Sequence, residues 1–233
     1  MRVLAIDTAL AACSAAVLDT DDGGIVASQS LPMTRGHAEA LMPLLVRLMQ
    51  DAGMAFRDID RVVVTTGPGS FTGLRVGIAA ARGIALAAGK PAVGLSTLAA
   101  YAAPHMAADE TVPVVAAIDA RHAHVYLQVF GPGGRTHTLP RLSPLAEAVR
   151  AAAAVRAAAA VRSCIVGSAA QSVAAALSEI DAKPAVVDAR AAPDITWVAR
   201  MGAVVPEGKS PPKPQYLRAP DAQPQNAARL QRR

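Results

Sequence analysis

Aromatic side chains make up only 3% of this chain. With so few Phe, Tyr and Trp, the core must be assembled from Ala, Val, Leu and Ile, and the stacked-base platforms of single-strand nucleic-acid binders lack material. Cysteine is nearly absent too. Cys13 and Cys164, far apart in the chain, make neither a disulfide framework nor a zinc cluster, which points to a reducing, cytoplasmic setting. Long apolar runs are missing: the longest, Val76 to Gly89, is interrupted by Arg82 and falls short of the ~20 residues a bilayer span needs. The lipoprotein-like Leu10-Ala11-Ala12-Cys13 follows Asp7 and Thr8 rather than an unbroken apolar stretch. Neither a membrane segment nor export is expected.

A one-signed charge field is lacking as well, although the net charge is +5. From Pro206 onward Lys209, Lys213, Arg218, Arg229, Arg232 and Arg233 face only Glu207 and Asp221, so most of the excess sits in the tail. The body offers no basic face for coating nucleic acid. What is plentiful is apolar content, 52% of 233 residues, enough for one large domain or two small ones sharing a cleft.

Residues 2–6, 14–18 and 24–30 are short β-branched and small-apolar runs, and Thr20-Asp21-Asp22-Gly23-Gly24 is a hairpin signal, so three antiparallel strands open the fold. Residues 36–52 read as a helix with apolar side chains at 41, 44, 45, 48 and 52 and again at 42, 46 and 49, a helix that must be covered on two sides. A strand at 61–65, a helix at 70–88 and a strand at 92–95 complete a βββαβαβ order. After a helix near 96–107, strands at 113–118 and 123–130 and helices near 143–161, 169–179 and 194–203 repeat the alternation, which suggests two related α/β lobes. The expected division is 1–98 for the N-terminal lobe, 99–205 for the C-terminal lobe and 206–233 for a Pro-rich basic tail. The repeated Val-Arg-Ala-Ala-Ala-Ala unit in 149–162 turns Arg150, Arg156 and Arg162 to three sides of a helix and forms no basic stripe, so it reads as a solvated helix of high alanine propensity.

Chemistry could reside in Thr66-Gly67-Pro68-Gly69-Ser70-Phe71-Thr72-Gly73-Leu74-Arg75, which follows a strand and opens a helix, a place that attracts anions. It lacks the Gly-Lys-Ser/Thr ending of a Walker loop, and a turn built for close packing explains the glycines as well. The anion or nucleotide contacts it would offer, with the end of the first strand, are Asp7, Thr8, Gly69, Ser70 and Thr72. Along the helix, Gly73, Gly77, Ala81, Ala85 and Gly89 recur every four residues as a ridge of minimal side chains. Glycine inside a helix costs about 0.5–1 kcal/mol relative to alanine, so something must pack there closely, either within the lobe or in a partner.

His37 would need a second metal ligand at i+4, the place of Leu41, so no metal site is expected. His37 then reads as a capping or interface residue. Ser70 lacks the Gly-x-Ser-x-Gly spacing, and neither cysteine has a case for activation. Asp119, His122 and His124 alternate along an expected strand, which would set both histidines on one face. No catalytic residue is assigned.

Several segments together resemble one family: Ala5-Ile6-Asp7-Thr8 with Cys13-Ser14, Arg35-Gly36-His37-Ala38-Glu39, the Gly67–Arg75 run, Asp119-Ala120-Arg121 and Tyr216-Leu217-Arg218. They resemble the TsaB (YeaZ) family of the bacterial machinery that makes threonylcarbamoyladenosine in tRNA. The likeness spans residue 1 to about 130 and returns at 216–218. It implies a two-lobed actin-like ATPase/sugar kinase (ribonuclease H-like) fold with mixed sheets in βββαβα order, related to the catalytic TsaD subunit but without its histidine pair. It further implies a non-catalytic scaffold that binds TsaD through N-terminal helices, is joined by the ATPase TsaE, and supports transfer of threonylcarbamoyl to N6 of adenosine 37. The interface would comprise His37, Leu41, Leu44, Leu45, Leu48, Gly73, Arg75, Gly77, Ala81 and Ala85. A homodimer is expected when TsaD is absent, tRNA is met mainly through the complex, and ATP is used by the assembly, with no cofactor on this chain. His124 stands where the family usually has Glu. The alternatives are a stand-alone metallopeptidase-like or kinase-like enzyme of the same superfamily, which require a bound metal or autonomous ATP turnover.

Overall fold

The computed structural model describes residues 1–159, 163–208 and 210–218. The end of the Ala-rich repeat and residues 219–233 of the basic tail lie outside the described residues.

Ten strands form two five-stranded sheets. In the first, β1 (Arg2–Asp7), β2 (Ala12–Asp19), β3 (Gly24–Pro32), β4 (Arg61–Gly67) and β5 (Ala92–Ser96) stand in the order β3-β2-β1-β4-β5. In the second, β6 (Val114–Asp119), β7 (His124–Phe130), β8 (Arg141–Pro144), β9 (Cys164–Val166) and β10 (Val186–Asp188) stand in the order β10-β9-β6-β7-β8. The pairing is the same in both. The first three strands form an antiparallel meander, and the fourth and fifth add in parallel beside the first. The rougher second half is a repeat of the first, and the βββαβα expectation holds.

The helices follow the same duplication: α1 (His37–Asp51), α2 (Phe71–Ala88) and α3 (Thr97–Ala108) accompany the first sheet in the chain, and α4 (Leu145–Ala159), α5 (Ala170–Glu179) and α6 (Ile195–Val204) the second. Their ends are marked in the sequence. Ser70 caps α2 by accepting the Gly73 N–H, and Gly89, in the left-handed region at φ 65°, ends it. Ser96 and Asp194 cap α3 and α6 likewise. By length and composition α2 could cross a membrane, but it lies on the sheet with Gly73, Leu74, Gly77, Ile78, Ala81 and Ala85 buried.

α1 and α2 cover one face of the first sheet, where Leu41, Leu44, Leu45 and Leu48 meet Leu4, Ile6, Val62 and Val64. The other face is covered by α6, whose Ile195, Val198 and Ala199 pack on Val3, Ala5, Val63 and Val93. In exchange α3 lays Leu98, Tyr101 and Ala102 on Val114, Ala116 and Ile118 of the second sheet. Each half of the chain thus lends its last helix to the other half's sheet. Chain order assigns α6 to residues 99–205, whereas its packing assigns it to the first sheet. Arg61 of β4 anchors it there, donating from Nη1 to the carbonyls of Gly202 (3.0 Å) and Val205 (2.8 Å), the free acceptors of a helix end. Gly202 permits this approach, because a Cβ there would collide with Val63.

Two sequence expectations change. Ala148 and Ala152 of α4 are buried against the second sheet, so the Ala-rich helix is a packed element. Arg121, His122 and Ala123 all adopt positive φ (63°, 52° and 57°) in the turn between β6 and β7. His122 is therefore a turn residue and shares no strand face with His124.

Candidate functional site: the interlobe cleft and the outer helical face

A cleft of about 430 Å³ opens between the sheets at the carboxyl ends of β1 and β6. The first half contributes Ala9–Ala11, His37 and Pro68–Phe71, the second Asp119–Arg121 and Tyr126, and residues 215–218 close one side.

Asp7 and Thr8, expected to reach a ligand here, are buried and face inward. One Asp7 oxygen accepts from Thr65 Oγ1 (2.5 Å) and from the Ala9 N–H (3.0 Å), while Oδ2 has no hydrogen-bond partner among the described residues. Burial is the main reason its carboxyl is held above the usual carboxylate range, against the lowering pull of those two hydrogen bonds and of His37. Nearby Cys13 is pushed up to about 11 by burial and by Asp7, far from an activated thiolate. Thr8 Oγ1 donates to the Gly73 carbonyl at 2.7 Å, pinning α2 to the end of β1.

The glycine run is explained by this close approach. A Cβ on Gly69 would stand 2.5 Å from the Ala9 carbonyl oxygen, one on Gly73 would strike the Thr8 carbonyl, and one on Gly77 would strike Thr8 Oγ1. Two donors of the run are used inside the chain, the Ser70 N–H on the Ala9 carbonyl (2.7 Å) and the Gly73 N–H on Ser70 Oγ. Of the five expected anion contacts, only Gly69 and Ser70 line the cleft. Asp7 and Thr8 are thereby committed to holding the first half of the fold together. Among the described residues no group of three His, Cys, Asp or Glu side chains could hold a metal ion.

The expected interface residues need a correction of the same kind. Leu41, Leu44, Leu45, Leu48, Ala81 and Ala85 are buried in the chain's own core, and Gly73 and Gly77 lie against Thr8, so the small-residue ridge packs within the lobe. His37 is buried too and caps nothing; its Nε2–H donates to the Leu10 carbonyl at 3.0 Å, tying α1 to the turn after β1. Of the second apolar set on α1, Met49 is buried with the leucines, while Met42 and Val46 are left 46% and 44% exposed. On α2, which packs beside α1, Phe71 and Leu86 are exposed. Periodicity showed both sides of α1 but not which one the core takes, and the core takes the four-leucine side.

Arg75 is the expected interface residue that stays outside. Its guanidinium covers the Phe71 ring at 3.7 Å and its Nε donates to the Tyr216 hydroxyl at 2.9 Å, while the Phe71 and Tyr216 rings stack with centroids 5.0 Å apart. Arg218 reaches the far side of the cleft, donating from Nη1 to the Ala120 carbonyl at 3.1 Å. Tyr216, Arg218, Asp119, Arg121 and Tyr126 were not among the expected site residues. Four of them fall in the Asp119-Ala120-Arg121 and Tyr216-Leu217-Arg218 segments that carry the family resemblance, whereas Tyr126 has no such signal.

Comparison with known proteins agrees with this geometry. Residues 13–150 match the family model described as TsaD, tRNA N6-adenosine threonylcarbamoyltransferase. The chain is 41% identical over 126 residues to the tRNA threonylcarbamoyladenosine biosynthesis protein TsaB of Escherichia coli, a match covering 54% of this chain and 53% of that protein. The chain thus spans about half the length of the curated relatives it matches first. A crystal structure of a Pseudomonas aeruginosa protein with similarity to peptidase YEAZ superposes with TM-score 0.73 at 27% identity, covering 93% of this chain and 99% of that one. The ROK hexokinase of Thermus thermophilus, 15% identical with TM-score 0.52 over 88% of this chain and 99% of its own, shares the fold alone, that of actin-like ATPases and sugar kinases. By its family model the chain belongs to the TsaD family, and within it the chain is similar to TsaB (YeaZ) proteins.

Proposed function

We propose that this chain is a non-catalytic subunit of the complex that installs threonylcarbamoyl on N6 of adenosine 37 in tRNA, where it binds and supports a TsaD subunit. One observation carries the reading: α1 and α2 present Met42, Val46, Phe71 and Leu86 to the surroundings while the loops at the cleft are closed on each other. Large apolar side chains left exposed on two helices that pack against each other fit a helical partner better than water. The TsaD-binding face is then the outer side of both helices, with Arg75 at its edge. Residues 1–98, completed by α6, form the lobe that carries it, 99–194 form the second lobe, and of the expected tail 206–233 the stretch 210–218 belongs with the folded body. TsaE joins the assembled pair, tRNA is met mainly through TsaD, and the same face supports a homodimer when TsaD is missing. The setting is cytoplasmic, where tRNA is.

The test is reconstitution from purified TsaD, TsaE, the adenylate-forming enzyme, ATP, threonine, bicarbonate and tRNA. Omitting this chain is expected to abolish modification, and the chain alone is expected to modify nothing. An undiminished rate without it would overturn the proposal. Met42→Asp is expected to weaken binding to TsaD in a titration without loss of folded protein.

A further inference from the structure

Residues 210–218 touch both halves of the molecule, and 215–218 line one side of the cleft. Pro212 is buried and lies where a Cβ on Gly94 of β5 would contact it. The Gln215 N–H donates to the Thr66 carbonyl of β4 at 2.7 Å, and a Cβ on Gly67 would come within 2.8 Å of the Gln215 carbonyl oxygen, so the segment sits flush on the first sheet. Three residues later Arg218 bonds the Ala120 carbonyl, just past β6 of the second sheet. Between these anchors Tyr216 turns onto α2, held by the Phe71 ring and the Arg75 guanidinium.

The sheets are also joined through α3, α6 and Leu10. Neither α3 nor α6 lines the cleft. Two halves joined through packed helices and separated by a cleft have one soft collective motion, opening and closing about the joint. We infer that residues 210–218 are a strap whose fixed length sets the opening of the cleft, and that Phe71 and Arg75 hold the strap, coupling the outer face of α2 to the cleft. The inference rests on the proposed function only for the identity of what docks on that face. The strap itself is a property of the isolated chain.

The Tyr216 anchor is exposed, so the coupling has an accessible end. The ring stack and the Arg75–hydroxyl bond are contacts any molecule on α2 would have to respect or displace. The Arg218 bond, by contrast, is made to a backbone carbonyl in the second half. Loss of either end frees the same segment.

The experiment measures the opening in the full-length chain without any partner. Spin labels on Gln50→Cys in α1 and Gln171→Cys in α5, both exposed positions, report the distance between the halves. Native Cys13 and Cys164 are buried, and the otherwise unsubstituted chain serves as the labelling blank. The strapped chain is expected to give one narrow distance distribution. Arg218→Ala and Arg75→Met are each expected to broaden it about twofold or add a longer component, while Arg218→Lys, which keeps a donor for Ala120, stays near the starting width. Tyr216→Phe keeps the ring and removes the hydroxyl, so it is expected to lie between. If Arg218→Ala does not fold, Arg75→Met and Tyr216→Phe decide alone, since both change exposed side chains. Unchanged distributions in folded variants, by circular dichroism, would overturn the strap. A strap confirmed here while TsaD fails to bind would overturn only the proposed function.

Discussion

Helices α1 and α2 lie side by side on the same sheet and bury opposite kinds of surface. α1 presents Leu41, Leu44, Leu45 and Leu48 inward, so its axis stands off the sheet by the length of those side chains. α2 presents Gly73 and Gly77 at its start, so its backbone comes near enough for Thr8 to bond the Gly73 carbonyl. Burial and proximity are therefore separate quantities. A ridge of small residues marks close approach without saying to what, and here it is to the end of β1. The leucine face and the glycine face are both internal, and what is left for another molecule is the side with Met42, Val46, Phe71 and Leu86.

The largest effect is expected from filling the glycine face. Gly77→Leu sets a side chain against Thr8 Oγ1 and Val64, and overpacking of this kind costs about 1–3 kcal/mol. In a chain of this size that lowers the thermal midpoint by roughly 2–12 °C. Affinity of the remaining folded protein for TsaD should stay the same; a weakened affinity beside an unchanged midpoint would show that the ridge faces outward after all.

Next comes the outer side. Met42→Asp and Leu86→Asp place a charge where a partner would desolvate it, and each is expected to raise the Kd for TsaD about 10- to 100-fold. Thermal midpoints should hardly move, because both side chains are already in water. Calorimetric titration and thermal melts on the same preparations separate the two faces.

A smaller change tests the closeness of α2 directly. Thr8→Val keeps the shape and removes the second donor to the Gly73 carbonyl, which keeps its intrahelical N–H from Gly77, with an expected loss of about 0.5–1.5 kcal/mol in urea unfolding. The smallest effect lies away from both helices. Arg190 first, with His105 after it, holds Asp188 down to about 2. A carboxylate lowered on folding lends stability above its ordinary value near 3.8 and loses it as the pH falls toward 2. Melts of the unsubstituted chain and of Asp188→Asn should therefore differ at neutral pH and converge below pH 4.

The meander, the parallel additions and the helix ends were legible because each depends on local chemistry: alternating apolar runs, the Asp-Asp-Gly-Gly turn, Ser70 and Gly89 as caps. The second sheet was only partly legible, since β9 and β10 have three residues each and carry too little pattern to stand out. The site was read through the right segments and assigned the wrong atoms. Asp7 and Thr8 are where a ligand contact was expected, but their polar groups are turned to Thr65, Ala9 and Gly73, a choice made by tertiary packing. Nothing local distinguishes Leu45 from Val46 as the inward residue. That depends on which side of α1 meets β2 and β3.

The exchange of last helices has a consequence in time. When β5 has left the ribosome, the first sheet still has a bare side, because Val3, Ala5 and Val63 wait for Ile195, Val198 and Ala199. Roughly a hundred more residues must be made first, which at translation rates of about 5–20 residues per second takes on the order of 5–20 s. For that interval the nascent chain carries an apolar sheet face of its own length, and a chaperone, or the second half already folding against α3, must shield it until α6 arrives.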